Sequence, residues 1–198
     1  MYKGQTISIV TRVMDRLEHL KQSLPTWVAI PDYDLIIIVD WGSKESILPF
    51  VQSLKDPRIV VVKVKEQEFF DRGAAHNTGI RFSQTELIHI IDCDVILKQN
   101  VLNVVDESKE KEFYIYSLSI QNHGTTGTCI IRKKQWEIVH GYAENLLGWG
   151  YEDVDFYNKL TVANFEKKEV LKYEMTEHIE HDDKSRFIHH KVAKNCNF

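Results

Sequence analysis

The sequence predicts an α/β fold, with a mostly parallel central sheet flanked by helices. Three observations predict it. Short, nearly continuous apolar runs such as Leu35 to Val39 and Leu87 to Ile91 read as strands buried on both faces. Segments with helical spacing alternate with these runs through the first half of the chain. The runs also end in acids, Asp40 after one and Asp92 and Asp94 after the other. In an open parallel sheet, the crevice beyond the carboxyl ends of the strands is where ligands bind.

Taken in order, Thr6 to Thr11 is rich in β-branched residues and reads as the first strand. Arg16 to Leu24 reads as a helix with Leu17, Leu20 and Leu24 on one face and Pro25 just past its end. Leu35 to Asp40 is the second strand, closed by the turn Asp40-Trp41-Gly42-Ser43. Ile47, Phe50, Val51 and Leu54 mark a helix, and Ile59 to Val64 the third strand. Arg72 precedes a small-residue stretch, Gly73 to Gly79, that enters a helix leading to the strand Leu87 to Ile91. Beyond Asp94 the alternation weakens. Phe113 to Ile120 alternates like a strand, Thr128 to Arg132 reads as another, and Lys133 to His140 reads as a short helix closed by Gly141. The segment Gly148 to Asp155 runs into Phe156, Leu160 and Ala163 at helical spacing.

A chain of 198 residues with a net charge of -4 has no general basic field for nucleic acid and no long single-sign run. Its apolar runs are far too short to span a bilayer, and its first residues lack a signal-peptide pattern. Cys93, Cys129 and Cys196 fit no zinc spacing and cannot all pair, which agrees with a reducing compartment. The expectation is a cytoplasmic protein, with peripheral contact at a membrane compatible with it.

In extended backbone Asp92 and Asp94 share a face, so both are expected to point into the crevice. Two like charges there call for a cation, and Mg²⁺ or Mn²⁺ commonly bridges carboxylates to a diphosphate; the bland alternative is a solvated turn. Asp40, Glu152 and Asp153 also fall at or near the ends of expected strands or in the loops beside them, while Arg12, Arg16 and Arg72 either supply positive groups for a phosphate-bearing ligand or are surface charge. Glu152 and Asp153 stand where a loop becomes a helix, as caps or, for Asp153, as a general base. Gly148, Trp149 and Gly150 before them suit a ligand loop, with Trp149 a platform for a sugar ring. His178 and His181 are surface residues or metal ligands, and as ligands they shift the preference from Mg²⁺ towards Mn²⁺. His189 and His190 read as surface, and Cys93 as a small buried residue.

Together these stretches resemble the inverting, metal-dependent glycosyltransferases of the GT-A fold. The first half is similar to the family 2 group through I-S-I-V-T, I-I-I-V-D-W-G-S, R-G-A-A-H-N-T-G-I and D-C-D. The second half resembles the β-1,4-galactosyltransferase and chondroitin-polymerase branch, whose W-G-W-G-G-E-D-D-D block is similar to Gly148 to Asp155. Arg16-Leu17-Glu18-His19-Leu20 also resembles that branch's R-x-E-H-L. The resemblance implies one domain over residues 1–198, with a nucleotide-binding half to about residue 98 and an acceptor-binding half from about residue 99.

It implies a donor site that includes Thr11, Arg12 and Arg16, with Asp40 and Arg72 on uridine and ribose and Asp92 on the ribose or the metal shell. Trp149 and Gly150 belong to that site too, with Gly124 to Gly127 lining the donor-sugar pocket. Asp94 and His181 would hold the metal, and His178, where the branch has methionine, is a candidate second ligand. Glu152 would bind the acceptor and Asp153 would be the base. The implied reaction transfers a sugar of the Gal, GalNAc or Glc type from a UDP-sugar to a glycan or other acceptor, with Mn²⁺ or Mg²⁺. Tyr151 and Val154 depart from the branch and leave the acceptor's identity open. Without the anchor and stem of Golgi members, the resemblance points to a bacterial or viral cytosolic enzyme. Two rival readings stand beside it. One is a silent nucleotide-sugar or glycan-binding module. The other is a nucleotidyltransferase, which would need a Gly-rich basic loop that Thr11 to Asp15 does not provide.

Overall fold

The computed structural model describes residues 2–106, 109–116, 125–144, 146 and 151–181. Its first half alternates as expected: β1 (Ile7–Val13), α1 (Leu17–Val28), β2 (Leu35–Trp41), α2 (Leu48–Ser53), β3 (Ile59–Val64), α3 (Arg72–Phe82) and β4 (Leu87–Ile90). The second half follows with β5 (Val95–Leu97), β6 (Glu112–Tyr116), β7 (Cys129–Arg132), α4 (Lys133–Ile138), α5 (Glu152–Val162), β8 (Glu166–Leu171) and β9 (Thr176–His178). Seven strands form one sheet in the order β3-β2-β1-β4-β7-β6-β8, and β5 and β9 pair in a second, two-stranded sheet. The pairs β1–β2, β2–β3 and β1–β4 are parallel, β7 is antiparallel to both β4 and β6, and β8 returns parallel to β6.

The apolar runs are buried because helices cover both faces of the sheet. Alternate side chains serve opposite cores. On one face Leu17, Leu20, Leu24 and Trp27 of α1 join Ile7, Ile9, Ile36 and Ile38. On the other, Ala75 and Ile80 of α3 and Phe156 and Leu160 of α5 join Val10, Ile37, Val39, Phe113 and Ile115. Helix α3 lies so close to the sheet that a Cβ on Gly79 would meet the methyl groups of Val10 and Val39.

Pro25 does not stop the first helix. It sits inside α1, which runs on to Val28. Proline forfeits one helical hydrogen bond, and the later residues offset that loss. Trp27 is fully buried and its indole N–H donates to Val95 O at 2.9 Å. Arg58 covers the helix's orphan carbonyls, donating to Val28 O at 2.6 Å and Ile30 O at 2.9 Å. Asp71 caps α3 by accepting from Ala74 N at 2.8 Å, so Arg72 is the helix's first residue rather than its prelude. Gly141 closes α4 as expected, with φ of +70° and its N–H on Trp136 O at 2.9 Å.

Strand β8 has no counterpart in the sequence reading. Its Glu166-Lys167-Lys168-Glu169 run is that of a charged edge strand, which blunts further pairing. Of the expected strand Phe113 to Ile120, the described part ends at Tyr116, and residues 117–120 lie outside the described residues.

The strand order sets the place of the site. From β1 the chain moves outward to β2 and β3, then returns to lay β4 on the other side of β1. The seam between β1 and β4 is therefore a topological switch point, where the connections diverge and leave a crevice beyond the strand ends. Arg12, near the end of β1, and Asp92, after β4, stand there.

Candidate active site

Asp92 and Asp94 lie in a turn between β4 and β5 and not in continued strand; Val95 N donates to Asp92 O at 3.1 Å. The expectation that both share one strand face is corrected accordingly. Each acid has its own partners. The Arg12 guanidinium donates to Asp92 Oδ1 at 2.5 Å, so the cation against this acid is a buried arginine. Arg12 also lies 3.5 Å from Glu152 Oε1, which in turn accepts from Arg72 at 3.2 Å. Side-chain exposures of 6% for Arg12 and 8% for Glu152 make this a largely desolvated network, in which each charge needs the others. Burial alone would raise the Glu152 carboxyl, but Arg72 and Arg12 hold it below its ordinary range.

Asp94 faces imidazoles instead. Its Oδ2 is 3.0 Å from His181 Nε2 and 3.6 Å from His178 Nε2. Strand pairing delivers these residues: Val95 is opposite His178 in the β5–β9 register, and Ile179 N donates to Asp94 O at 2.8 Å. His181 then meets the edge of His19 from α1, with ring centroids 5.6 Å apart. Burial pushes the Asp94 carboxyl up, but His178 and His181 outweigh it and hold the group well below the usual range. One donor atom each from Asp94, His178 and His181 can be taken within 4.8 Å of one another. Asp94 Oδ1 is buried without a hydrogen-bond partner among the described residues. An anionic oxygen and two imidazole nitrogens, with a buried oxygen still to be satisfied, fit a divalent cation of the Mn²⁺ type.

Glu152 and Asp153 occupy the first turn of α5, at the start of a helix as the sequence suggests. Tyr151 before them adopts the left-handed conformation with φ of +70°, which turns the chain abruptly into the helix. Asp153 is half-buried, and burial together with Glu152 raises its proton affinity above that of an ordinary aspartate. Asp153 Oδ1 accepts from Val154 N at 2.8 Å, so the bland reading, helix-start hydrogen bonding, is also present.

The remaining expected residues are placed as follows. Thr11 and Asp40 are buried near the ends of β1 and β2, and Thr11 Oγ1 and Asp40 Oδ2 have no hydrogen-bond partner among the described residues. Asp40 Oδ1 accepts from Ser43 N at 2.9 Å, which fixes the turn after β2. Arg16 is the residue before α1, next to His19 in the electrostatics of the metal side. Arg72 meets Glu152, at the start of α5. Trp149 and Gly150, with Gly148, Gly124, His189 and His190, lie outside the described residues. Cys93 is buried, as expected.

Two features that the sequence offered only as motifs gain specific contacts in the structure. The turn Thr125–Thr128, closed by Thr128 N on Thr125 O at 2.9 Å, borders Asp92: a Cβ on Gly127 would stand 3.2 Å from Asp92 Oδ2. His19 was legible only as part of a motif, and its contact with His181 needs the tertiary fold.

Known proteins agree with this layout. The family model described as glycosyltransferase like family 2 matches residues 11–113, and one described as N-terminal domain of galactosyltransferase matches residues 110–182. Among solved structures, TarS of S. aureus (residues 1–349) is similar with a TM-score of 0.60 at 15% identity, over 78% of this chain and 55% of that one. The same protein in complex with UDP gives 0.59 at 15% identity, over 78% and 54%. The mannosyltransferase PcManGT from Pyrobaculum calidifontis, in complex with GDP-Man and Mn²⁺, gives 0.65 at 12% identity, over 82% and 54%. The chain thus spans about half the length of these structures, and the likeness shows the GT-A fold. No curated protein matches the chain. No helix among the described residues is long and apolar enough to cross a membrane.

The Asp153 geometry has a consequence for stability. Its folded proton affinity is raised, so the native state holds the proton more tightly than the unfolded chain does. Its contribution is therefore favourable at low pH and is lost as pH rises from about 3.9, the unfolded value, through the raised native value. Asp153→Asn removes that loss while keeping a capping side chain. The variant is expected to melt no lower than the parent at pH 7, with its advantage shrinking as pH falls through this window. Calorimetric melts across pH check this, and a lower melting temperature at pH 7 contradicts it.

Proposed function

The chain belongs to the glycosyltransferase-like family 2, and from that premise we propose that it is a metal-dependent, inverting glycosyltransferase. It moves a sugar of the galactose, N-acetylgalactosamine or glucose type from a UDP-sugar to a hydroxyl of a glycan or other acceptor. One observation carries the reading: beside the β1–β4 switch point, Asp94, His178 and His181 can bring one oxygen and two imidazole nitrogens within 4.8 Å of one another. Asp153, half-buried in the first turn of α5, holds its proton more tightly than an ordinary aspartate. A carboxylate in a ligand cluster and a carboxyl of raised proton affinity suit an electrostatic role and a proton-transfer role respectively.

The unpartnered Asp40 Oδ2 and Thr11 Oγ1 are buried polar atoms that the nucleoside would satisfy. Arg16, at the start of α1, would meet the diphosphate, and Asp92, fixed by Arg12, would meet the ribose. Asp94, His178 and His181 would hold the divalent cation, which when bound supplies Lewis-acid neutralisation of the diphosphate. Asp153 takes the proton of the acceptor hydroxyl as that oxygen attacks the anomeric carbon. The bond from carbon to the diphosphate oxygen breaks, and its electron pair leaves with UDP. A single displacement inverts the anomeric centre. The raised proton affinity makes Asp153 a stronger base than an exposed aspartate. Glu152, braced by Arg12 and Arg72, would orient the acceptor. The neighbours bind UDP in one case and GDP-Man with Mn²⁺ in another, and the first-half motifs favour uridine here.

Calorimetry tests the donor side. UDP is expected to bind more tightly with Mn²⁺ than without it, and more tightly than GDP or ADP; Asp94→Ala or His181→Ala should remove the metal-dependent part. Equal UDP affinity with and without metal would contradict the metal assignment.

The proton-transfer side is tested by Asp153→Asn, which keeps size and capping but cannot accept the proton. Transfer is expected to fall by about 100-fold or more while UDP affinity hardly changes. Near-normal transfer by this variant would remove Asp153 from the base role.

A further inference from the structure

The buried phenol of Tyr157 is not needed by the chemistry described so far. Its hydroxyl donates to Thr126 O at 2.9 Å, and the residue is 7% exposed. A buried tyrosine usually finds some partner for its hydroxyl, so the bond alone is unremarkable. Its location is what matters. Thr126 belongs to the turn Thr125–Thr128, which is closed by its own hydrogen bond and whose Gly127 borders the Asp92 carboxylate. At the other end, Tyr157 is four residues after Asp153 in α5, so the two share a helix face. One hydroxyl thus ties the helix that carries Asp153 to the turn beside Asp92.

We propose that Tyr157 is a positioning residue that sets the separation between the donor side of the crevice at Asp92 and the acceptor side at Asp153. The proposal rests on the functional reading above, since it concerns the same site. Thr125 and Thr128 are buried and the turn is internally bonded, so it moves as a unit with whatever holds its middle carbonyl. The Tyr157 ring is held separately, with its centroid 6.0 Å from that of Phe113. Removing the oxygen therefore leaves the ring packed on Phe113, while the bond to the turn is lost together with the hydroxyl's contact to Cys129 of β7. In a direct displacement the acceptor oxygen must meet the anomeric carbon in line, and small misplacements of one partner are costly.

The test is Tyr157→Phe in the full chain, with UDP binding and steady-state transfer measured together. UDP affinity with Mn²⁺ should stay within about twofold of the parent, and kcat for transfer should fall by about 10-fold or more. A merely structural role would lower the melting temperature and weaken UDP binding along with turnover, or leave both unchanged; either result overturns the proposal. Should the parent protein turn over no UDP-sugar, the functional reading fails on its own. The brace is then judged by hydrogen exchange at the Thr128 amide, expected to quicken by about 10-fold in Tyr157→Phe. Unchanged exchange there overturns the brace independently of any activity.

Discussion

A single buried guanidinium holds the crevice together. Arg12 reaches Asp92, which follows β4, and Glu152, which opens α5, and Arg72 at the start of α3 shares the latter acid. Removing one partner from such a buried cluster typically costs about 3–5 kcal/mol, because the remaining charges are left without compensation. That cost ties three chain segments, far apart in sequence, to one point at the β1–β4 seam. It also separates the two acids of the Asp92-Cys93-Asp94 stretch. With Asp92 committed to Arg12, Asp94 alone is left to face the histidines.

The histidine side is arranged by backbone pairing rather than by charge. The short β5–β9 ladder places His178 across from Val95, and the Ile179 amide on Asp94 O extends the pairing by one step. His181 follows in irregular backbone, where Asp94 and His19 bracket its ring. Under the proposed metal role, a ligand set drawn from a turn, a strand end and the chain after it would adjust to an incoming cation, while His19 of α1 would back His181. Metal ligands are commonly oriented by such outer contacts.

Much of this was legible in the sequence where the signal is local. The apolar runs of β1 to β4 and the helix spacings fall within a residue or two of the structure, and Asp94 with His178 and His181 do converge. Other features depend on partners remote in sequence. Pro25 reads as a stop, yet Arg58 and Trp27 carry the helix past it. Strand β8 is concealed by its own charges, which suit an edge but not a buried strand. The i, i+2 argument for Asp92 and Asp94 assumes extended backbone, and the chain turns there instead. Arg12 was legible as a positive group beside a ligand, but not as the ion pair that holds Asp92 and Glu152. Tyr157 reads as one more aromatic on an amphipathic helix, because the carbonyl it serves belongs to a turn about thirty residues earlier.

The central claim is that this crevice activates the anomeric carbon of a UDP-sugar for displacement from the opposite face. Slow hydrolysis of the donor, in which water takes the acceptor's place, tests it without knowledge of the acceptor. A panel of UDP-sugars with Mn²⁺, followed by proton NMR of the released sugar, should show one preferred donor hydrolysed with inverted anomeric configuration. That hydrolysis should be lost in Asp94→Ala. Release with retained configuration, or hydrolysis indifferent to Asp94, would contradict the account.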